Sequence, residues 1–180
     1  MNEAAPDRIT ILETPRVRLR EFTSDDLQPL ADMVGDPAQM RFYPRPRTKA
    51  EAESWIDRNM TLYKEPGFGF WCMESIDNED FLGYCGIRPV DLDGVEEVEI
   101  GWHTRKEFWG QGLATEAAAA CRDLAFARFD LDRLVGTIDP THTASIRVAE
   151  KIGMEREGET AIDGWPCTVY AVGRKSLRGS

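Results

Sequence analysis

The feature that most constrains this chain is a change of period at its centre. Residues 95–104 (VEEVEIGWHT) read as a strand, and residues 113–128 (LATEAAAACRDLAFAR) read as an alanine-rich helix. Only a short segment joins them, and it contains Trp109-Gly110-Gln111-Gly112. The two glycines let backbone approach a ligand closely, and the first turn of the helix presents unpaired N–H groups at the positive end of its dipole. That combination suits an anion such as phosphate. The same residues also suit a tight strand-to-helix turn with no ligand. Ala117–Ala120 give the helix a flat face for close packing on a sheet.

The flanking segments fix the class of fold. Arg16–Glu21 (RVRLRE) alternates basic and apolar side chains, as a half-buried strand does. Thr23-Ser24-Asp25-Asp26 supplies N-cap chemistry for a helix carrying Leu27, Leu30, Ala31 and Val34, which Asp36-Pro37 ends. Thr48 followed by Glu51 makes a capping box for a second helix with an apolar stripe of Ala52, Trp55, Ile56, Met60 and Tyr63. Residues 70–76, 81–90 and 95–104 read as a three-stranded meander with turns at 77–80 and 91–94. After the central helix come a strand at 134–138, a helix at 143–152 stopped by Gly153, and two strands at 154–160 and 168–174 around Asp163-Gly164. This order predicts a mixed α/β (α+β) layer fold rather than a doubly wound one. We read residues 9–175 as one domain, with tails at 1–8 and 176–180.

Composition narrows the function. The chain has 180 residues, enough for a single domain with a real core. Its 32 acidic and 22 basic residues give a formal charge of −10. Sequence-independent binding of nucleic acid needs a basic footprint, so no nucleic-acid partner is expected, and cationic partners such as amines fit better. Cys72, Cys85, Cys121 and Cys167 form no CxxC pair, and His103 and His142 are the only histidines, so no metal is expected. No run of about 18 apolar residues exists, so no membrane partner is expected. With free cysteines and no export signal, the location read from sequence is cytoplasmic.

Two rival phosphate motifs fail. The string GxxxxGK[ST] of a Walker loop is absent. A dinucleotide fingerprint needs glycine or alanine where Thr115 stands, and a meander precedes the turn instead of a βαβ start. The string EIGWHTRKEFWGQGLATEA (Glu99–Ala117) instead resembles the coenzyme A pyrophosphate loop of the GNAT acetyltransferases, and is closest to their RimJ/RimL-type branch. TPRVRLREFTSDD (14–26), the segments GFGFWCMES and FLGYCGIRPV, and THTASIRVAEKIGM (141–154) resemble that branch in the same order, so the resemblance covers about residues 10 to 175.

The resemblance implies a GNAT fold: a mixed, mostly antiparallel sheet, splayed to admit acetyl-CoA. It implies direct transfer of acetyl to a primary amine, either a protein N-terminus or a small molecule, by a monomer or homodimer. The non-catalytic alternative is an acyl-CoA-binding or regulatory module. The resemblance assigns cofactor contacts to Trp109, Gly110, Gln111, Gly112, Leu113, Ala114 and Thr115 through their backbone. It assigns the pantetheine arm and thioester carbonyl to the strand edge at Trp102, His103 and Thr104. Arg41, Phe42 and Tyr43 fall where acceptor-binding loops lie. Three positions depart from the pattern: Glu107 replaces a Gln or Arg, His142 replaces an Asn that contacts cofactor, and Ala149 replaces the Tyr that often protonates the leaving thiolate. Ser145 is then the candidate acid and a further cofactor contact. Glu99 is the candidate base or amine anchor, with Glu97 and Glu96 as alternatives. A solvated acidic face is the competing reading of these glutamates, as core and rim packing is of Trp71, Trp102 and Trp109.

Overall fold

The computed structural model describes residues 8–175. Its strands are β1 (Thr10–Glu13), β2 (Val17–Arg20), β3 (Phe70–Ser75), β4 (Phe81–Leu92), β5 (Val95–Thr104), β6 (Arg133–Ile138), β7 (Glu155–Ile162) and β8 (Trp165–Gly173). The helices are α1 (Leu27–Gly35), α2 (Lys49–Lys64), α3 (Leu113–Arg128) and α4 (Thr143–Lys151). The strands form one sheet in the order β1-β2-β3-β4-β5-β6-β8-β7. Every neighbouring pair is antiparallel except β5–β6, which is parallel. This is the mixed, mostly antiparallel α/β architecture expected. No helix among the described residues is long and apolar enough to cross a membrane.

The alanine face of α3 does what its composition predicts. Ala117, Ala118, Cys121 and Ala125 are fully buried against Val17, Leu19, Ile87 and Ile100 of the sheet. The other face carries α1 and α2 over Phe22, Cys72 and Phe81. The capping box forms: Thr48 accepts from the Glu51 N–H while the Glu51 carboxylate accepts from the Thr48 N–H. The expected stripe of α2 is corrected at one position. Met60 is exposed, and Asn59 is buried in its stead, with Oδ1 accepting from the Phe70 N–H at 2.7 Å and Nδ2 donating to the Trp55 carbonyl at 2.9 Å. Helix α2 is thus docked on β3 partly by polar groups.

Two further expectations change. The turn between β4 and β5 is the two-residue Asp93-Gly94, both at positive φ, so β4 continues to Leu92. The strand expected at 16–21 is preceded by another, β1, that the sequence reading did not single out, and before it Arg8 reaches the Glu74 carboxylate at 3.1 Å. Residues 1–7 of the expected N-terminal tail and the whole C-terminal one, 176–180, fall outside the described residues.

Glu74 is the centre of a buried charge cluster. It is 1% exposed and accepts from Arg8, Arg18 and Arg20. Arg20, also buried, forks onto Asp26 through two N–H groups at 2.8 Å each. Burial opposes ionisation of Asp26, but hydrogen bonds from Arg20 and Thr23 outweigh it and hold the carboxyl below its usual range. Arg20→Ala would strand buried Asp26, which has no other ion-pair partner among the described residues, and should cost about 3–5 kcal/mol in a urea melt. A lowered folded pKa stabilises above the unfolded aspartate value, about 3.9, and that stabilisation is lost as pH falls toward the folded pKa. Acid titration of stability should therefore show a flatter low-pH limb in Asp26→Asn than in wild type.

Candidate active site

Strands β5 and β6 share a single register position, Glu99 with Val135, and separate beyond it. The bond from Arg105 N–H to the Leu82 carbonyl, at 2.8 Å, sets the alternation along β5. Residues 101, 103 and 105 direct their backbone to β4, and 102 and 104 direct theirs into the gap. The Thr104 carbonyl is taken by the Trp109 indole N–H at 2.7 Å. The edge expected from Trp102, His103 and Thr104 is therefore made by Trp102 and Thr104, because His103 is opposite Tyr84 and spends its backbone on β4. Trp102 Nε1 and Thr104 Oγ1 are buried without a hydrogen-bond partner among the described residues. Trp71 Nε1 is a third such atom, in the core, and nothing in the structure accounts for it.

The turn after β5 ends this edge. A single 3-10 turn (Lys106–Phe108) leads to Gly110 and Gly112, at φ of 76° and 79°. Gly112 is the N-cap of α3 and brings no capping side chain. The first N–H that finds a partner belongs to Glu116, bonded to the Gly112 carbonyl, so the six N–H groups from Gly110 to Thr115 have none among the described residues. Such an N-terminus binds anions. Glu107, the unexpected acid of this turn, lies 3.4 Å from the Arg105 guanidinium and is half-exposed. Burial resists the charge of Glu116, but hydrogen bonds from Thr14 and Arg16 lower its pKa.

Helix α4 packs on α3 and β6. His142 is its N-cap and accepts from the Ser145 N–H through Nδ1 at 3.3 Å, which assigns the proton to Nε2. Its pKa is lowered, first by burial and then by the charge of Arg41. The Ser145 hydroxyl is half-buried and makes no hydrogen bond among the described residues. Ala149 is fully buried in the core.

The loop after α1 spans the two sides. Arg41 lies over the Trp109 ring at 5.5 Å, and Phe42 stacks on His142 at 3.8 Å. Tyr43 stacks on His103 at 5.5 Å. Lys106 ties the loop to the glycine turn through an ion pair with Asp36, while its N–H donates to Gln39 Oε1. Burial pushes the His103 pKa down to about 4, so its imidazole is neutral near pH 7.

The three glutamates part company. Glu99 is buried at the last bridge before the gap, with Arg88 Nε and Nη2 each 2.8 Å from Oε2 and Thr137 Oγ1 donating to Oε1 at 2.6 Å. Glu97 pairs with Arg133, and Glu96 is exposed; both line a groove at the far end of β5, away from the gap. Arg88 and Thr137 were not singled out from sequence. Arg88 becomes legible once the turn is placed at Asp93-Gly94, since that register sets it opposite Glu99.

Comparison with known proteins agrees with this geometry. A family model described as acetyltransferase (GNAT) domain matches residues 16–155. The uncharacterized protein YkkB of Bacillus subtilis is 36% identical over 162 residues, 89% of this chain and 94% of that protein. A GNAT-family acetyltransferase structure from Bacillus anthracis aligns with a TM-score of 0.79 at 26% identity, covering 93% and 99% of the two chains. RimL, a ribosomal L7/L12 alpha-N-protein acetyltransferase solved with coenzyme A, shares the fold with a TM-score of 0.77 at 17% identity, covering 93% and 99%. The family match runs through every element that shapes the gap from β2 to α4, and the chain therefore belongs to the GNAT acetyltransferases and is an acyltransferase enzyme.

Proposed function

We propose that this enzyme is an acetyl-CoA-dependent N-acetyltransferase of the RimJ/RimL type that transfers acetyl directly to a primary amine. The observation that carries this reading is the divergence of β5 from β6 beside six N–H groups that have no partner among the described residues. The residues present fit the donor. The N–H groups from Gly110 to Thr115 suit its pyrophosphate. The free backbone of Trp102 and the Thr104 N–H suit its amide-bearing arm, as an added strand would. The unpartnered Thr104 hydroxyl supplies a further polar contact on that edge. Acetyl-CoA supplies the activated acetyl group as a thioester.

The chain's own residues then divide the work. Oε2 of Glu99 is occupied by Arg88, whereas Oε1 carries only the Thr137 hydroxyl and retains accepting capacity. This favours Glu99 as an amine anchor over a strong base. An α-amine, with pKa about 7.7–8.0, is already partly neutral at pH 7, whereas a lysine near 10.4 is not. The arrangement therefore favours an α-amine, of a protein N-terminus or a small molecule. Ser145, whose hydroxyl at the start of α4 has no hydrogen-bond partner among the described residues, would protonate the leaving sulfur. Arg41, Phe42 and Tyr43 form the roof under which the acceptor enters.

The direct test is release of coenzyme A thiol from acetyl-CoA with a panel of N-terminal peptides, amino acids, polyamines and aminoglycosides. Release with α-amines is expected, and acetyl-CoA at 100 times its Kd should stabilise the fold by about 2.7 kcal/mol. No stabilisation would refute the donor site. Ser145→Ala should lower kcat by about 10²-fold or more while KM for acetyl-CoA moves less than about twofold. Glu99→Gln, which keeps an accepting oxygen, should raise KM for the amine without abolishing turnover; a wild-type KM would remove its anchoring role.

A further inference from the structure

The glycine turn has a support that lies outside it. Glu116, in the first turn of α3, is gripped by the β1–β2 turn: its Oε1 accepts from Thr14 Oγ1 at 2.7 Å and from the Arg16 N–H at 3.0 Å. Its Oε2 accepts from Arg16 Nε at 2.7 Å, with Nη2 at 2.5 Å. This fork holds the guanidinium so that the remaining nitrogen, Nη1, donates to the Gln111 carbonyl at 3.0 Å. In a trans peptide the carbonyl of one residue and the N–H of the next point in opposite directions. The Gly112 N–H therefore points away from Arg16.

That orientation does not follow from the turn alone. Rotating the peptide between Gln111 and Gly112 changes ψ of the first and φ of the second, and a glycine accepts either sign of φ. Rotated, the same peptide would present a carbonyl oxygen where the other side presents an N–H. We propose that Arg16, oriented by Glu116, is a positioning residue that locks this peptide so that the Gly112 N–H faces a pyrophosphate. The inference rests on the donor site proposed above. A role in stability alone fits less well, because the Arg16 side chain is 50% exposed and exposed ion pairs stabilise folds little.

Binding of three ligands to wild type and to Arg16→Gln tests the lock: coenzyme A, 3′-dephospho-coenzyme A and pantetheine, the last lacking the pyrophosphate. Calorimetry should show coenzyme A and its dephospho form each weakened about tenfold or more, as befits a lost hydrogen bond to a charged group, and pantetheine changed less than about twofold. Arg16→Lys keeps the charge but not the fork, and should share the loss. Wild-type affinity for coenzyme A in Arg16→Gln, an equal loss for pantetheine, or full rescue by lysine would each overturn the lock. Should Arg16→Gln fail to fold, Arg16→Lys and the isosteric Glu116→Gln carry the same comparison. Wild-type protein that binds no coenzyme A would instead overturn the donor site, and the lock with it.

Discussion

The single parallel junction of the sheet governs the rest of the molecule. Parallel neighbours need a crossover, and here α3 supplies it between β5 and β6. The crossover begins at the glycine turn, so the N-terminus of α3 is delivered to the end of β5 where the sheet opens. Pairing that stops after Glu99 leaves backbone groups of Trp102 and Thr104 without a strand to bond. Unpaired backbone groups in a sheet interior are costly unless something satisfies them. The gap and the helix N-terminus are thus two results of one topological step, one suited to an extended amide chain and the other to an anion.

The opening is held by contacts that cross long stretches of sequence. The loop after α1 is fastened to the glycine turn by Lys106, through Asp36 and Gln39, and to α4 by the stack of Phe42 on His142. Residues assigned to the acceptor side therefore touch residues assigned to the donor side. Neutral His103, beneath Tyr43 and beside Tyr84, adds an uncharged floor. Glu99 stands at the β5–β6 bridge, four residues before His103 on the same strand, and its ion pair with Arg88 keeps the local charge balanced.

Local chemistry made much of this legible. The bounds of β5 and α3 follow from alternation, two glycines and an alanine run, all confined to one segment. The Thr48–Glu51 box is likewise contained in four residues. What sequence could not show depends on partners far away. Strand β1 is four residues long and exists only by pairing with β2. Asn59 replaces Met60 inside because it satisfies the Phe70 N–H, a need invisible along the helix. His103 keeps its place beside the gap, but register turns its backbone away. Arg16 and Glu116 meet across 100 residues, so neither looked remarkable for the loop they support. The glycine turn is visible along the sequence; the side chains that contact it are visible only in the fold.

Charge makes the same distinction between whole and site. The chain carries −10, and the proposed donor is anionic, so the long-range field opposes their encounter. Around the glycine turn the balance is different. Arg16, Arg105 and Lys106 are matched by Glu116, Glu107 and Asp36. Arg41 lies over Trp109 and Phe42 with no ion-pair partner among the described residues. Pairing removes net charge from the turn, yet the N–H groups and the dipole end of α3 keep positive character there, and the Arg41 guanidinium adds to it over the Trp109 ring. Short-range donors of this kind act within hydrogen-bonding distance, where salt screening is weak, whereas the surplus carboxylates act through solvent and are screened within about 8–10 Å. The acidity of the surface therefore bears on how fast an anion arrives, and the geometry of the turn on whether it stays.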